Sequence, residues 1–333
     1  MEEFKMLRFD GRVALITGAT FGIGRAYAEL LGSRGAKIIV NCRKENDAAH
    51  EVVEKIKASG GDAIIVTGDV GEEDTIKRMV DTAIKEWGRI DIAVSNAAGT
   101  YPMSLPWEDS SKTIDRVFDV HVRATLKMNE YVWPYMKEQG YGRILVTGSA
   151  GGTGYIALPE GYTLDYALCK ASIFGVVRQT AAEGMAHNIK CNMVLPWAYG
   201  KMVADFIGGS ELGKWMEANV RTDQVAAAVA PLLHEDCPTT GETITAGGGR
   251  VGRIFFAATR GYFDRDLTAE KAFENWDKIM GTYGEDGTLL DVFEQTQPRE
   301  EAMMGYLLET GDFPDLTTIS TMPLKGNSKS MNA

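Results

Sequence analysis

Hydrophobic and polar positions follow two different periods over the first three quarters of the chain. Short apolar runs recur at 13–17, 37–40, 63–66, 90–94, 143–147, 190–195 and 242–245. Longer segments between them place apolar residues at i, i+3 and i+4, the helical spacing. Strand and helix in alternation predict parallel strands joined by right-handed crossovers, and fully apolar strands indicate burial on both faces. The pattern therefore predicts an α/β fold with a doubly wound, seven-stranded parallel sheet.

This pattern changes after Arg253. Residues 261–320 contain helical candidates rich in aromatic residues but no strand-like run, and residues 321–333 have the composition of a disordered tail. We expect residues 1–260 to form the main domain and residues 261–320 a helical C-terminal extension. Phe273 and Trp276 are expected to be core or interface contacts of that extension.

Composition narrows the class of protein. Its 46 acidic residues outnumber its 35 basic ones, and a formal net charge of −11 argues against nucleic acid as a partner. The four cysteines lie far apart, so neither a metal site nor a disulfide framework is predicted. An apolar leader, a membrane-length apolar window and a peroxisomal signal at the end of the chain are not recognisable. A cytoplasmic location without membrane attachment is the expectation.

A glycine-rich stretch, TGATFGIGR at residues 17–25, joins the first predicted strand to the first predicted helix. Glycines let the backbone turn tightly and approach a pyrophosphate, whose charge meets the positive end of the helix dipole. A tight turn alone could also require glycine, but a place at the start of a strand–helix–strand series favours dinucleotide binding. The predicted cofactor contacts here are Gly18, Thr20, Phe21, Gly22, Ile23 and Gly24.

Further motifs follow the third and fourth predicted strands. Asp69 and Val70 come after the third strand, and Asn96, Ala97 and Gly99 come after the fourth. With the TGxxxGIG spacing of the glycine turn, these motifs resemble the short-chain dehydrogenase/reductase family over residues 10 to 255 or so. The resemblance implies a Rossmann fold, a nicotinamide cofactor contacted by these five residues, and association into a homodimer or homotetramer.

The end of the second predicted strand bears on the choice between NAD and NADP. A carboxylate is usual there in NAD sites, but this chain has Cys42 followed by Arg43 and Lys44. A 2′-phosphate is repelled by a carboxylate and attracted by Arg or Lys, so the sequence favours NADP, with NAD as the alternative. Against this, the two basic residues could simply face solvent, and Phe21 stands where many NADP-binding members carry a basic residue.

Tyr166 and Lys170 form a YxxxK pair in a predicted helix, one turn apart on the same face. Lowering the pKa of a phenol from about 10 to about 7 requires ~4 kcal/mol of preference for the phenolate. One ammonium group at about 4 Å supplies a similar amount when the effective dielectric constant is about 20. Tyr166 is therefore the predicted acid or base.

The family resemblance adds Ser149 as the holder of the substrate oxygen, although a serine that merely starts a loop is the alternative. It also implies that Lys170 binds the nicotinamide ribose.

Two positions depart from the family pattern. His121 stands where the family has a fourth catalytic residue, Asn, whose main-chain carbonyl holds a water near the lysine. A histidine could serve in the same way or could be a packed helix residue. Pro196 keeps its place as a cofactor contact after the sixth strand, but Trp197 replaces the usual glycine.

Several fragments, among them DVHVRA and NIKCNMVLP, resemble one branch of the family, the (3R)-hydroxyacyl-CoA dehydrogenase units of peroxisomal multifunctional enzymes, also called 17β-hydroxysteroid dehydrogenase type 4. Tyr155, Tyr162, Trp197 and Tyr199 would form an apolar aromatic wall, suited to a steroid, polyketide or fatty-acyl substrate, unless they serve loop packing or a subunit contact. The predicted function is oxidoreduction between a secondary alcohol and a ketone. The alternatives are a 3-hydroxyacyl-CoA dehydrogenase or 3-oxoacyl reductase, and a catalytically silent NADP-binding scaffold or sensor.

Overall fold

The computed structural model describes residues 6–99, 110–153, 164–281, 292–294 and 296–315. The chain divides into two compact units, Met1–Ile254 and Phe255–Ala333. This division comes before the boundary expected at residue 260, because residues 257–259 form a strand that pairs within the second unit.

The first unit is built around one sheet. Its strands are β1 (Val13–Ile16), β2 (Lys37–Cys42), β3 (Asp62–Thr67), β4 (Ile92–Ser95), β5 (Gly142–Thr147), β6 (Ile189–Pro196), β7 (Thr243–Gly247) and β8 (Arg250–Ile254). Among the described residues the sheet has eight strands in the order β3-β2-β1-β4-β5-β6-β7-β8, of which β1 to β7 are parallel. The predicted doubly wound α/β fold is confirmed. The expected number of seven strands is corrected to eight by β8, which runs antiparallel to β7.

The extra strand follows from two glycines. Gly248 and Gly249 have φ angles of +57° and +80°, and they connect the paired residues Gly247 and Arg250. Two consecutive left-handed residues form the kind of two-residue turn that matches the twist of a hairpin. The chain therefore reverses at this point and adds an antiparallel edge strand.

Helices cover both faces of the sheet. They are α1 (Gly22–Ser33), α2 (Asp47–Ala58), α3 (Glu73–Trp87), α4 (Ser110–Phe118), α5 (Ala124–Gln139), α6 (Leu164–Gly184), α7 (Lys201–Ile207), α8 (Glu211–Asn219) and α9 (Thr222–Leu233). Alternate residues of β1 enter different cores: Ala14 and Ile16 belong to one apolar cluster, Val13 and Leu15 to the other. Burial on both faces explains why the central strands β1 and β4 are apolar over most of their length. Among the described helices, none combines the length and apolarity needed to span a bilayer.

A π-helical turn, Asp119–Arg123, separates α4 from α5. A π turn inserts an extra residue into a helix and is frequent at functional sites. It contains His121, whose side chain is buried. The strand order also reverses next to this region, between β1 and β4, and doubly wound sheets bind ligands at such a switch point.

The second unit contains a small antiparallel pair, β9 (Ala257–Thr259) and β10 (Val292–Glu294), with helices α10 (Ala269–Glu274), α11 (Trp276–Met280) and α12 (Gln297–Thr310). The expectation of an extension without strands is therefore wrong. Phe273 is 82% exposed and Trp276 is 55% exposed, so neither is a core residue. The buried apolar cluster of this unit is formed instead by Phe293, Met303 and Leu307.

Candidate active site

The glycine turn between β1 and α1 has the backbone geometry that its glycines allow. Gly18 and Gly22 have φ angles of +61° and +56°, in the left-handed region that favours glycine. A Cβ atom on Gly24 would lie 2.2 Å from the carbonyl oxygen of Gly18, so a side chain cannot fit. Phe21 makes no side-chain cap at the start of α1, which leaves the first N–H groups of the helix for an anion.

Asn41, near the end of β2, stabilises this turn and was not predicted from the sequence. Its side chain is 2% exposed, and its Oδ1 accepts a hydrogen bond of 3.2 Å from the Gly18 N–H. Its Nδ2 donates to the carbonyl oxygens of Val66 and Gly68 at 3.1 and 3.2 Å. One buried amide thus ties the glycine turn to the carboxyl ends of β2 and β3. An asparagine within a strand signal gave no hint of this role.

Asn96 connects the glycine turn to the strands on the other side. Its Nδ2 donates to the carbonyl oxygen of Thr17 at 3.1 Å, and its Oδ1 accepts a hydrogen bond of 3.2 Å from the hydroxyl of Thr147. The N–H of Ala97 donates to the Thr17 hydroxyl at 2.9 Å. Gly99 follows in the same loop. These residues form the frame of the predicted cofactor cleft.

At the predicted adenosine end of the cleft, β2 ends in Cys42, whose thiol pKa is raised by burial and, to a smaller extent, by the nearby carboxylate of Glu45. Cys42 is 5% exposed, whereas Arg43 and Lys44 are exposed. Val70 is buried. The Asp69 carboxylate is already engaged, since it forms an ion pair with Arg116 and accepts the N–H of Gly71 at 2.9 Å.

Tyr166 and Lys170 lie one turn apart on α6, as the sequence predicted. The ammonium nitrogen of Lys170 lies 5.7 Å from the centre of the Tyr166 ring and donates a hydrogen bond of 2.8 Å to the carbonyl oxygen of Thr147, at the end of β5. Lys170 is 3% exposed, and this burial lowers its pKa to about 8. Below that pH, a positive charge is held beside the tyrosine at the carboxyl edge of the sheet.

His121 joins the same cluster from the π turn. Its ring meets the Tyr166 ring edge to face, with the ring centres 5.5 Å apart. Burial, aided by the charge of Lys170, holds the pKa of His121 well below its usual value, so the imidazole is neutral near neutral pH. Its main-chain carbonyl oxygen accepts a hydrogen bond of 2.9 Å from the hydroxyl of Thr125.

A small cavity of about 10 Å³, room for roughly one water molecule, adjoins these groups. Its lining comes from β1, β4, the π turn, α5, β5 and α6. The residues are Thr17, Ser95, Ala97, Val120, His121, Ala124, Thr125, Thr147 and Lys170. Buried water commonly satisfies polar groups in such spaces, and the hydroxyl of Ser95 forms no hydrogen bond with the described residues.

Ser149 lies just beyond β5, at the same edge of the sheet. Its hydroxyl oxygen accepts a hydrogen bond of 3.1 Å from the Gly151 N–H and so starts a 3₁₀ turn, Ala150–Gly152. Ser149 therefore does start a turn, as the alternative expectation stated, and the contact leaves its hydroxyl proton unused. A hydroxyl that accepts here keeps its own proton for donation to a substrate oxygen.

The aromatic residues expected around a substrate are only partly described. Tyr155 and Tyr162 lie outside the described residues. Trp197 follows Pro196 at the end of β6, is 51% exposed, and lies 5.9 Å, centre to centre, from the ring of Trp215 on α8. The N–H of Tyr199 donates to the carbonyl oxygen of Val220 at 2.7 Å. Trp215 was not predicted from the sequence, because nothing in its local pattern relates it to Trp197.

Elsewhere in the described part of the chain, the nitrogen and carboxylate atoms of His234, Glu235 and Asp236 lie within 4.8 Å of one another. Glu235 is paired with Arg12 at 2.8 Å, and Nδ1 of His234 accepts the N–H of Asp236 at 3.2 Å. These contacts already occupy atoms that a metal ion would need.

A doubly wound sheet with a glycine turn at its switch point, and a tyrosine beside a buried lysine at the same edge, define a dinucleotide-binding oxidoreductase of the short-chain type. The sequence profile of the short chain dehydrogenase family matches residues 12–202. The chain belongs to this family, whose members bind a nicotinamide cofactor and act on CH–OH groups.

Particular relatives share much of this chain. Peroxisomal multifunctional enzyme type 2 of Drosophila melanogaster is 32% identical over 311 residues, which cover 87% of this chain and 50% of the relative. The Mus musculus protein of the same name is 34% identical over 285 residues, covering 82% and 37% respectively. The structure of the full-length Drosophila enzyme matches with a TM-score of 0.70 at 28% identity, over 91% of this chain and 50% of that one. The predicted resemblance to this branch is confirmed, and the chain spans half or less of the length of these relatives.

Proposed function

We propose that the protein is an NADP(H)-dependent short-chain dehydrogenase/reductase that interconverts a secondary alcohol and a ketone on a bulky, apolar substrate. The observation that carries this proposal is the buried ammonium group of Lys170, 5.7 Å from the ring centre of Tyr166. Burying a charge destabilises a fold, and a buried ammonium group beside a phenol can lower the pKa of that phenol.

A nicotinamide cofactor, held by the glycine turn and by Lys170, would supply the hydride for reduction or accept it in oxidation. In the direction of reduction, the chain's own residues handle the proton. Tyr166 gives its phenolic proton to the carbonyl oxygen, which becomes the hydroxyl of the alcohol. Ser149 donates a hydrogen bond to that oxygen, and Lys170 stabilises the phenolate that remains. In the direction of oxidation, the phenolate takes the proton back from the alcohol.

His121 has a positioning role in this proposal. Its neutral ring packs edge to face against Tyr166, at 5.5 Å between the ring centres, and adds no second positive charge to the site. The ring therefore orients the phenol without adding to the positive charge of Lys170. The main-chain carbonyl of His121 still has a second lone pair for a water, as in the family's asparagine role.

The rim of the site supports the proposed substrate class. Trp197 leaves half of its surface exposed directly after the last residue of β6, and Trp215 of α8 is 48% exposed beside it. Such an aromatic pair favours a broad apolar body, as in a steroid, a polyketide or a fatty-acyl group, over a small polar sugar. Tyr199 in the following loop and Tyr155 and Tyr162 in the preceding one stay predicted contacts.

Two alternatives remain open to the same experiment. Similarity to peroxisomal multifunctional enzyme type 2 supports a 3-hydroxyacyl-CoA dehydrogenase or 3-oxoacyl reductase. A catalytically silent NADP-binding scaffold would have no use for the buried Lys170 beside Tyr166. The predicted cytoplasmic location stays a prediction, since the names of these relatives refer to peroxisomes.

Association into a homodimer or homotetramer is supported by the surfaces of α5 and α6. Leu126 of α5 is 45% exposed, and Leu164 and Leu168 of α6 are 45% and 51% exposed. Family analogy places subunit contacts on these two helices. Burial of the three leucines between subunits would remove this apolar surface from water.

A panel of ketones tests the reaction and the substrate class. With NADPH, we expect a steroid ketone or a long apolar ketone to be reduced with a higher kcat/KM than a 3-oxoacyl-CoA or a small polar ketone, followed by nicotinamide absorbance. The highest kcat/KM with 3-oxoacyl-CoA would favour the first alternative. Cofactor binding without turnover of any ketone would favour the silent scaffold.

The cofactor preference is tested at the end of β2. Arg43→Ala together with Lys44→Ala should weaken NADPH binding by roughly tenfold, because two charges facing the 2′-phosphate are lost, and should leave NADH binding unchanged. Lys57→Ala, an exposed lysine at the far end of α2, is the control. Dissociation constants from nicotinamide fluorescence decide the matter. Tighter binding of NADH than NADPH by the unmodified protein would overturn the NADP assignment.

A further inference from the structure

The second unit contains a cavity that the proposed reaction does not use. Its volume is about 430 Å³, within the range of small-molecule sites. Its walls come from residues 259–265 and 267, from the helix α12 and from Phe313. All of these residues lie within the second unit, so the cavity belongs to that unit by itself.

The floor of the cavity is apolar. Met303 and Leu307 of α12 are 4% and 3% exposed, and Phe263 and Phe313 pack against them. Met304 also lines the cavity and keeps 43% of its surface exposed. Methionine and aromatic side chains adapt their shape to a ligand, so the cavity favours a molecule with an apolar body.

Most charged groups in the lining are engaged by other contacts. The Asp264 carboxylate is paired with Lys271 at 2.8 Å. Arg265 donates a hydrogen bond to the carbonyl oxygen of Leu308, and the guanidinium of Arg260 lies 5.0 Å from the centre of the Phe313 ring. The lining thus carries two positive side chains, Arg260 and Arg265, and two negative ones, Asp264 and Glu300.

Glu300 is different. Its Oε2 atom is shielded from solvent and accepts no hydrogen bond from any described residue. Glu300 stands in the first turn of α12, where the helix dipole favours a negative charge. A carboxylate can only accept hydrogen bonds, and a buried acceptor without a donor is unfavourable. Rotation about the last side-chain bond, which has a broad energy profile, can turn a carboxylate oxygen toward the cavity.

We propose that this cavity binds a small, neutral, apolar alcohol, whose hydroxyl donates a hydrogen bond to the Glu300 carboxylate while its hydrocarbon body contacts Met303 and Leu307. A ketone of the same shape would place its carbonyl oxygen, which only accepts hydrogen bonds, against the Glu300 carboxylate, which is also an acceptor. An amine would enter as an ammonium ion, and the cost of removing that ion from water exceeds its attraction to a buried carboxylate unless further hydrogen bonds satisfy it. The assignment does not depend on the reaction proposed above.

The methionines of the chain provide the test, because Met303 and Met304 line the cavity and Met280 of α11 does not. The full-length protein, labelled with ¹³C at the methionine methyl groups, is titrated with 2-octanol, 2-octanone and 2-aminooctane, and the signals are assigned by single Met→Leu variants. The expected result is a saturable shift of the Met303 and Met304 signals with 2-octanol and none for Met280. Binding of 2-octanone at these signals should be about tenfold weaker, the effect of one hydrogen bond to a charged group. Binding of 2-aminooctane should also be weaker than that of 2-octanol, because its ammonium group must lose water to enter an apolar cavity.

A matched pair of variants then tests the carboxylate. Glu300→Gln should bring the alcohol and the ketone to within about threefold of each other, because the amide can also donate a hydrogen bond. Glu301→Gln, the same change at the exposed neighbouring position, should keep the difference. Three results would overturn the proposal: no shift of Met303 and Met304, equal binding of alcohol and ketone by the unmodified protein, or strongest binding of the amine. Unequal binding that persists in Glu300→Gln would likewise refute the role of this residue.

Discussion

Replacement of Tyr166 by Phe is expected to lower kcat by roughly a thousandfold while the dissociation constant for NADPH changes little. The substitution removes only the hydroxyl that carries the proton, and the ring keeps its edge-to-face contact with His121. Steady-state turnover and fluorescence titration of the cofactor separate the two effects. The loss should appear in kcat and kcat/KM together, since the proton is transferred in the chemical step.

Tyr131→Phe on α5 is the matched control, because it removes a phenolic hydroxyl from a partly buried tyrosine away from the Lys170 ammonium. Its kcat should remain within about twofold of the unmodified protein, as for other substitutions away from the reacting atoms. Turnover that survives in Tyr166→Phe would remove this residue from the mechanism and leave the cleft without an identified acid.

Replacement of Lys170 by Met should lower kcat/KM by a similar roughly thousandfold factor near pH 7, because the phenol of Tyr166 loses the charge that favours its ionised form. The pKa of Lys170 is lowered to about 8, so the ammonium is charged below that pH and loses its charge as the pH rises through it. For the unmodified protein, kcat/KM for ketone reduction is therefore expected to fall above about pH 8. A pH–rate profile measures both effects.

Two further variants test whether the charge of Lys170 itself causes the pH dependence of kcat/KM. Lys170→Arg keeps a positive charge at all accessible pH values, so the fall near pH 8 should disappear while part of the activity remains. Lys190→Met removes another partly buried ammonium that donates to a main-chain carbonyl, that of Cys237, and should leave the profile unchanged. An alkaline limb near pH 8 that persists in Lys170→Arg would assign the titration to a different group.

The features of this protein that can be predicted from the sequence share one property. Each of them depends on residues that lie close together along the chain. Gly18, Gly22 and Gly24 lie within a single turn, and Tyr166 and Lys170 lie within one helical turn. Their spacing alone fixes their mutual geometry. The strands β1 to β7 can be predicted for a related reason, because burial gives most of them a short apolar run.

The parts that were missed depend on contacts distant in sequence or on very short elements. Asn41 braces the glycine turn through a hydrogen bond to Gly18, 23 positions before it, and Trp215 meets Trp197 across a loop and a helix. The strands Ala257–Thr259 and Val292–Glu294 have three residues each, too few to show a period. β8 is largely exposed, so it lacks the apolar run that revealed its neighbours.

The buried ammonium of Lys170, which the proposed catalysis requires, lowers the free energy of unfolding of the protein. Since its pKa in the folded protein lies below that of an exposed lysine, the unfolded chain binds the proton more tightly between about pH 8 and 10.5, and the folded state gains stability as the pH rises through that window. At the pH where the proposed mechanism requires this charge beside Tyr166, the same charge therefore weakens the native state. An apolar side chain of similar length at position 170 would make the protein harder to denature and would also silence it. Selection for heat resistance alone would be expected to remove this lysine early.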